Sequence, residues 1–91
     1  MTGIQNEELW QFPIASYPLK VMGESRYPMA QLVADILCRH VPGFDPATLE
    51  MVASSKGTWV SARASFLATS KEQINAIYAE LAAEPRIRTA L

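Results

Sequence analysis

Ninety-one residues, 49% hydrophobic and 19% charged, give the composition of one globular domain with enough apolar mass for a core without staples. A net charge of −1 lacks the cationic excess of a general nucleic-acid binder, and a single cysteine, Cys38, excludes an internal disulfide. No run approaches the roughly 20 apolar residues of a membrane-spanning helix, and the opening MTGIQNEELW is not a signal peptide, so a soluble cytoplasmic protein is expected.

Residues 1–8 are polar and read as a flexible N-terminal segment ahead of a single domain spanning 1–91. The cluster Leu9, Trp10 and Phe12 is expected to pack back on that domain. YPLKVMG then alternates, with Tyr17, Leu19 and Val21 on one side and Pro18, Lys20 and Met22 on the other: a strand ending at Gly23. Pro18 donates no ladder hydrogen bond, so full pairing is expected from Leu19. Pro28 suits the first turn of a helix whose apolar stripe is Met29, Leu32, Val33, Ile36 and Leu37, stopped by Pro42-Gly43. Its polar stripe is narrow, Gln31, Asp35 and Arg39, with Asp35 and Arg39 spaced to pair. Ala30, Ala34, Cys38 and Val41 flank that stripe, so the helix is expected to bury more than its sheet-facing side.

After the loop PGFDPA, Leu49, Met51 and Ala53 alternate with Glu50 and Val52 as a second strand. SSKG turns the chain, Gly57 supplying a positive φ. The third strand sets Val60, Ala62, Ala64, Phe66 and Ala68 inward and Trp59, Ser61, Arg63, Ser65 and Leu67 outward. A one-residue slip would bury Arg63 and expose Phe66. SKEQ reads as a capping box, Ser70 with Gln73, for a second helix with stripe Ile74, Ile77, Tyr78 and Leu81, ended by Glu84-Pro85. RIRTAL closes as a fourth strand with Ile87, Thr89 and Leu91 inward and Arg86 and Arg88 outward.

The order β-α-β-β-α-β, with one apolar face per strand, predicts an α+β ferredoxin-like sandwich. Its four-stranded antiparallel sheet runs 4-1-3-2, and both helices cover one face. The other face is open.

FP at Phe12-Pro13, KVMG at Lys20 to Gly23, RHVPG at Arg39 to Gly43, SSKG at Ser54 to Gly57, and Tyr78 with Leu81 together resemble the YbeD-like family of small bacterial proteins, from about Leu9 to Leu91. The resemblance implies a fold like that of ACT-type regulatory domains, which bind small effectors or other domains. It implies no established biochemical activity, so no catalytic residue is carried over.

No residue pattern argues for catalysis. His40 is the one histidine, and Cys38, two positions away, points to a different side of the helix; that is no zinc site. His40 reads as a residue favoured by the negative end of its helix, and Cys38 as a small semi-buried one. The carboxylates show no pairing suited to acid-base work, and the serines of SSKG belong to no hydrolase motif. No cofactor or metal is called for. The turn Ser54, Ser55, Lys56 and Gly57 has two readings, a plain hairpin and, more weakly, an anion-binding turn.

The outward positions are the binding candidates: Lys20, Met22, Trp59, Ser61, Arg63 and Arg88. With order 4-1-3-2, Arg88, Lys20 and Arg63 are expected in a row across the sheet. Exposed aromatic, aliphatic and arginine side chains are what a binding face tends to show. The bland alternative is a solvated sheet with Trp59 capped by LWQFP. The leading functional reading is a non-catalytic regulatory or adaptor domain that binds a protein partner or small effector through this face. One alternative is an RNA-binding module of RRM-like topology, weakened because the first strand has no outward aromatic. Another is a self-associating structural domain, a weak homodimer through helix one or an edge strand.

Overall fold

The computed structural model describes residues 11–91. The expected flexible segment 1–8 and the packing of Leu9 and Trp10 lie outside those residues. In chain order the elements are β1 (Ile14–Glu24), α1 (Met29–His40), a 3₁₀ turn (Pro46–Thr48), β2 (Glu50–Ala53), β3 (Trp59–Ala68), α2 (Lys71–Ala83) and β4 (Ile87–Ala90). The sheet order is β2-β3-β1-β4, every pair antiparallel. This is the expected ferredoxin-like arrangement, with 4-1-3-2 read from the other edge. No helix among the described residues is long and apolar enough to cross a membrane.

The core lies between the two helices and one face of the sheet. Tyr17, Leu19 and Val21 of β1 and Ala62, Ala64, Phe66 and Ala68 of β3 meet Met29, Val33, Ile36 and Leu37 of α1 and Ile74, Ile77 and Leu81 of α2, all buried. Each fully buried aliphatic side chain contributes about 1.5–3 kcal/mol. The alanines of β3 leave room for the branched side chains of the helices, so bulk is divided between layers rather than doubled.

β1 is longer than its alternation suggested. It begins at Ile14; pairing includes Pro18 opposite Ser65 and Tyr17 opposite Phe66, and reaches Ile14 opposite Ala68 across an irregularity between Ile14 and Tyr17. Lys20 exchanges both backbone hydrogen bonds with Leu91, so even-numbered positions of β1 aim their N–H toward β4. The proline nitrogen of Pro18 therefore faces past the end of β4, where no ladder bond is lost. The Phe12–Pro13 peptide is cis.

Pro28 occupies the N-cap of α1 rather than its first turn. Arg39 does not pair with Asp35: Gln31 Nε2 donates to Asp35 Oδ1 at 2.6 Å, while Arg39 reaches Glu80 on α2. Ala34 and Val41 are buried, the former beside Pro46 and Leu49, so the wide apolar surface of α1 is used in part by that loop. Cys38 is exposed rather than semi-buried, its Sγ 3.9 Å from the carbonyl oxygen of Phe44.

Ser70 caps α2 as expected, its Oγ accepting from the Gln73 N–H at 3.0 Å. The reciprocal half of the box is shifted: Gln73 Oε1 accepts from the N–H of Thr69 at 2.7 Å, and its Nε2 donates to the His40 carbonyl at 2.9 Å, tying α2 to the end of α1. β2 starts at Glu50, leaving Leu49 just ahead of it, and all four of its residues are exposed. Met51 shares the helix-side face with Ala62 yet remains 39% exposed.

The fourth strand departs most from its reading. Ile87 lies opposite Gly23 and Ala90 opposite Val21, with a register shift between them. The extra residue flips the alternation, so the helix-side positions are Ile87 and Ala90. Thr89 and Leu91, expected inward, stand with Met22 and Lys20 on the open face, and Leu91 is 72% exposed.

Candidate functional site

The register places the candidate residues of β1 and β3 in three rows. Arg63 lies opposite Lys20, Ser61 opposite Met22 and Trp59 opposite Glu24. β2 extends the first two rows with Glu50 beside Arg63 and Val52 beside Ser61. On the other side Thr89 follows Met22, and Leu91 follows Lys20. Among the described residues no helix covers this face. Trp59, Met22, Lys20 and Ser61 are half-buried, while Arg63, Leu67 and Val52 are exposed.

Arg88 does not complete a cationic row with Lys20 and Arg63; Leu91 takes that place. The shift in β4 sends Arg88 instead toward Trp59, its guanidinium carbon 5.6 Å from the ring centroid, within cation–π range. Arg86, also expected on this face, turns to the helix side. Its backbone N–H and guanidinium both bond the Glu84 carboxylate, at 3.0 and 2.8 Å. That places Arg86 at the rim of a cleft of about 360 Å³ with Leu32, Ile36 and Ala83.

The turn before Trp59 is built as a hairpin. Ser54 N–H donates to the Trp59 carbonyl at 2.8 Å, and Gly57 N–H to the Ser54 carbonyl at 2.9 Å. Trp59 N–H donates to Ser54 Oγ at 3.1 Å. Gly57 has φ of +77°, as anticipated. Ser25, just past β1, clamps the turn from the side: its N–H donates to the Thr58 carbonyl at 2.9 Å and its hydroxyl to the Gly57 carbonyl. Two of the turn's N–H groups, those of Ser54 and Gly57, and the N–H of Trp59 are thus spent inside the hairpin, and Ser55 and Lys56 stand exposed at its tip.

On the helix side the histidine has a specific partner. His40 Nε2 and the guanidinium of Arg39 both contact Glu80. The hydrogen bond from Arg39, then that from His40, holds the Glu80 carboxyl down to about 2. Arg86 does the same for Glu84, also to about 2. Burial, then a hydrogen bond with Tyr17, pushes the Tyr78 phenol up. Sequence spacing gave no sign of the Arg39–Glu80 or His40–Glu80 pairs, whose partners sit about forty positions apart. No group of three or more His, Cys, Asp or Glu suited to a metal occurs among the described residues.

Gly23, which the alternation marks only as the end of a strand, is a close-packing point. A β-carbon there would lie 2.6 Å from Met29 Sδ and 2.9 Å from the carbonyl oxygen of Arg86. Gly23 therefore lets the start of α1 and the entry to β4 close together on β1, beneath the end of the sheet that carries Trp59.

A family model described as "Protein of unknown function (DUF493)" matches residues 7–91. The chain is 34% identical over 85 residues to a UPF0250 protein of Bordetella pertussis, covering 93% of this chain and 92% of the relative. It is 37% identical over 81 residues to a UPF0250 protein of Ectopseudomonas mendocina, covering 89% and 88%. A UPF0250 protein of Azotobacter vinelandii is 36% identical over the same length, again 89% and 88%.

Proposed function

This chain belongs to the DUF493 family of proteins of unknown function, and on that premise we propose that it is a cytoplasmic, non-catalytic adaptor or regulatory domain that binds a protein partner through its open sheet face. The observation that carries the reading is the state of Trp59. A half-buried tryptophan, overlain by Arg88, sits at one end of a face that also presents Lys20, Met22, Ser61 and Arg63. Aromatic and arginine side chains supply much of the binding energy at protein interfaces, because they bury large area and make directional polar contacts. The histidine and two arginines on the helix side engage carboxylates instead, so that side reads as structure.

The test is recovery of partners from a bacterial lysate with the parent chain, Trp59→Ala and Arg63→Glu, each checked for folding by circular dichroism. A partner recovered by the parent and lost by both folded variants supports the proposal. Recovery of the same proteins by all three moves the surface elsewhere.

A further inference from the structure

The charges of this domain are distributed unevenly between its two sides. On the helix side Arg39 is engaged by Glu80, and Arg86 by Glu84 at 2.8 Å. On the open face Lys20 and Arg88 have no carboxylate partner among the described residues. Arg63 reaches Glu50 only at 3.9 Å, with both side chains more than half exposed. Glu24, the other acidic side chain on that face among the described residues, is engaged by Arg26 at 2.7 Å. A chain of net charge −1 thus keeps three under-compensated cations on one surface.

Their spacing is set by the sheet. Lys20 and Arg63 stand side by side in one row. Trp59, with Arg88 over its ring, is four residues from Arg63 along β3, about 13 Å at 3.3 Å per residue. The row between them is Met22 and Ser61. An extended segment laid along β3 repeats its side chains every second residue at the same rise. Its positions i, i+2 and i+4 would meet, in turn, the Lys20–Arg63 pair, the thioether of Met22, and Arg88 on Trp59.

We infer that the occupant of this face is an acidic, extended segment of a partner protein, carrying carboxylates at i and i+4 and an apolar side chain at i+2. The inference rests on the reading that the open face is the binding surface. Carboxylates are favoured over a nucleic-acid backbone for two reasons. The outward positions of β1 that pair with β3 are Pro18, Lys20, Met22 and Glu24, none of them a stacking platform. Trp59 already has a guanidinium against it. Arginine and lysine meet carboxylates in charge-assisted hydrogen bonds, and an arginine stacked on a ring keeps its donors for that purpose.

The experiment is selection of a displayed library of random 12-residue peptides on the full chain, with enriched peptides retested by fluorescence anisotropy against the parent, Arg63→Glu and Trp59→Ala. The expected result is enrichment of acid-x-apolar-x-acid sequences. Their affinity should fall at least tenfold with Arg63→Glu, and tenfold or more when the two acidic residues are replaced by amides. Enriched peptides that are neutral or basic, yet lose binding to Trp59→Ala, overturn this inference and leave the sheet-face reading standing. Peptides indifferent to both substitutions overturn the inference and the reading together. A library that yields no enriched sequence overturns the inference. A parallel titration with polyuridylate that binds and is lost with Arg63→Glu replaces the acidic segment with single-stranded nucleic acid.

Discussion

Replacing Gly23 with alanine adds one methyl group where β1 meets Met29 and the backbone of Arg86. The new β-carbon would sit 2.6 Å from Met29 Sδ, 2.7 Å from Met29 Cε and 2.9 Å from the Arg86 carbonyl oxygen. Contacts this short are repulsive, so something must move. Met29 is flexible by type, but it is 2% exposed and packed on all sides. The Arg86 oxygen belongs to the backbone entering β4, and shifting it disturbs the pairing of Ile87 with Gly23. Inserting a methylene-sized group into a packed core costs about 1–3 kcal/mol. The φ of Gly23 is not positive, so alanine is conformationally allowed and recovers about 0.4–1 kcal/mol through the unfolded chain. The net expectation is a loss of about 1–2 kcal/mol. Urea denaturation should show a lower midpoint at unchanged slope. Adding Met29→Ala should recover part of the Gly23→Ala cost in a double-mutant cycle, because the two substitutions share a contact. A Gly23→Ala midpoint equal to or above the parent would refute the close-packing argument.

Gly57→Val forces a β-branched residue to φ of +77° with no atom near the new β-carbon, so the loss, about 1–3 kcal/mol, is backbone strain alone; an unmoved denaturation midpoint would count against it. Ser70→Ala removes the N-cap acceptor of α2 and should cost about 1 kcal/mol, read as a lower Tm. The pH dependence follows from the depressed carboxyl of Glu80. Because its folded value is lower than its unfolded one, its stabilising contribution is fully present above about 4.5 and is lost as pH falls toward about 2. Glu80→Gln should therefore flatten the stability profile across that window, and an identical slope in the variant would argue that the Arg39 and His40 contacts do not persist in solution.

Most of the fold was legible because its signals are periodic. The alternation of Val60, Ala62, Ala64, Phe66 and Ala68 against Ser61, Arg63, Ser65 and Leu67 leaves one register that keeps Arg63 out of the core, and the observed burial follows it. The capping serine and the positive φ of Gly57 were likewise local requirements carried by local residue choices. Period two misplaces the residues of β4 because it assumes an unbroken ladder. The register shift after Gly23 inserts a residue, and nothing in RIRTAL marks it. That shift is also what separates Arg88 from Lys20 and delivers it to Trp59. Helix spacing permits an Asp35–Arg39 pair, whereas the packing of α2 on α1 brings Glu80 to the same guanidinium. Gly23 looked like a strand end because its role depends on atoms of Met29 and Arg86, whose approach only the tertiary structure supplies.

The central claim is that the open face of the sheet is where this domain meets its partner. Amide chemical-shift mapping of the labelled chain, titrated with a partner recovered from the lysate, tests it most directly. The account predicts the largest perturbations at Lys20, Met22, Ser61 and Arg63 and at the indole N–H of Trp59, with α1 and α2 little changed. Perturbations centred on α1 or on the cleft bounded by Arg39, Glu80 and Arg86, with the sheet face silent, would contradict it.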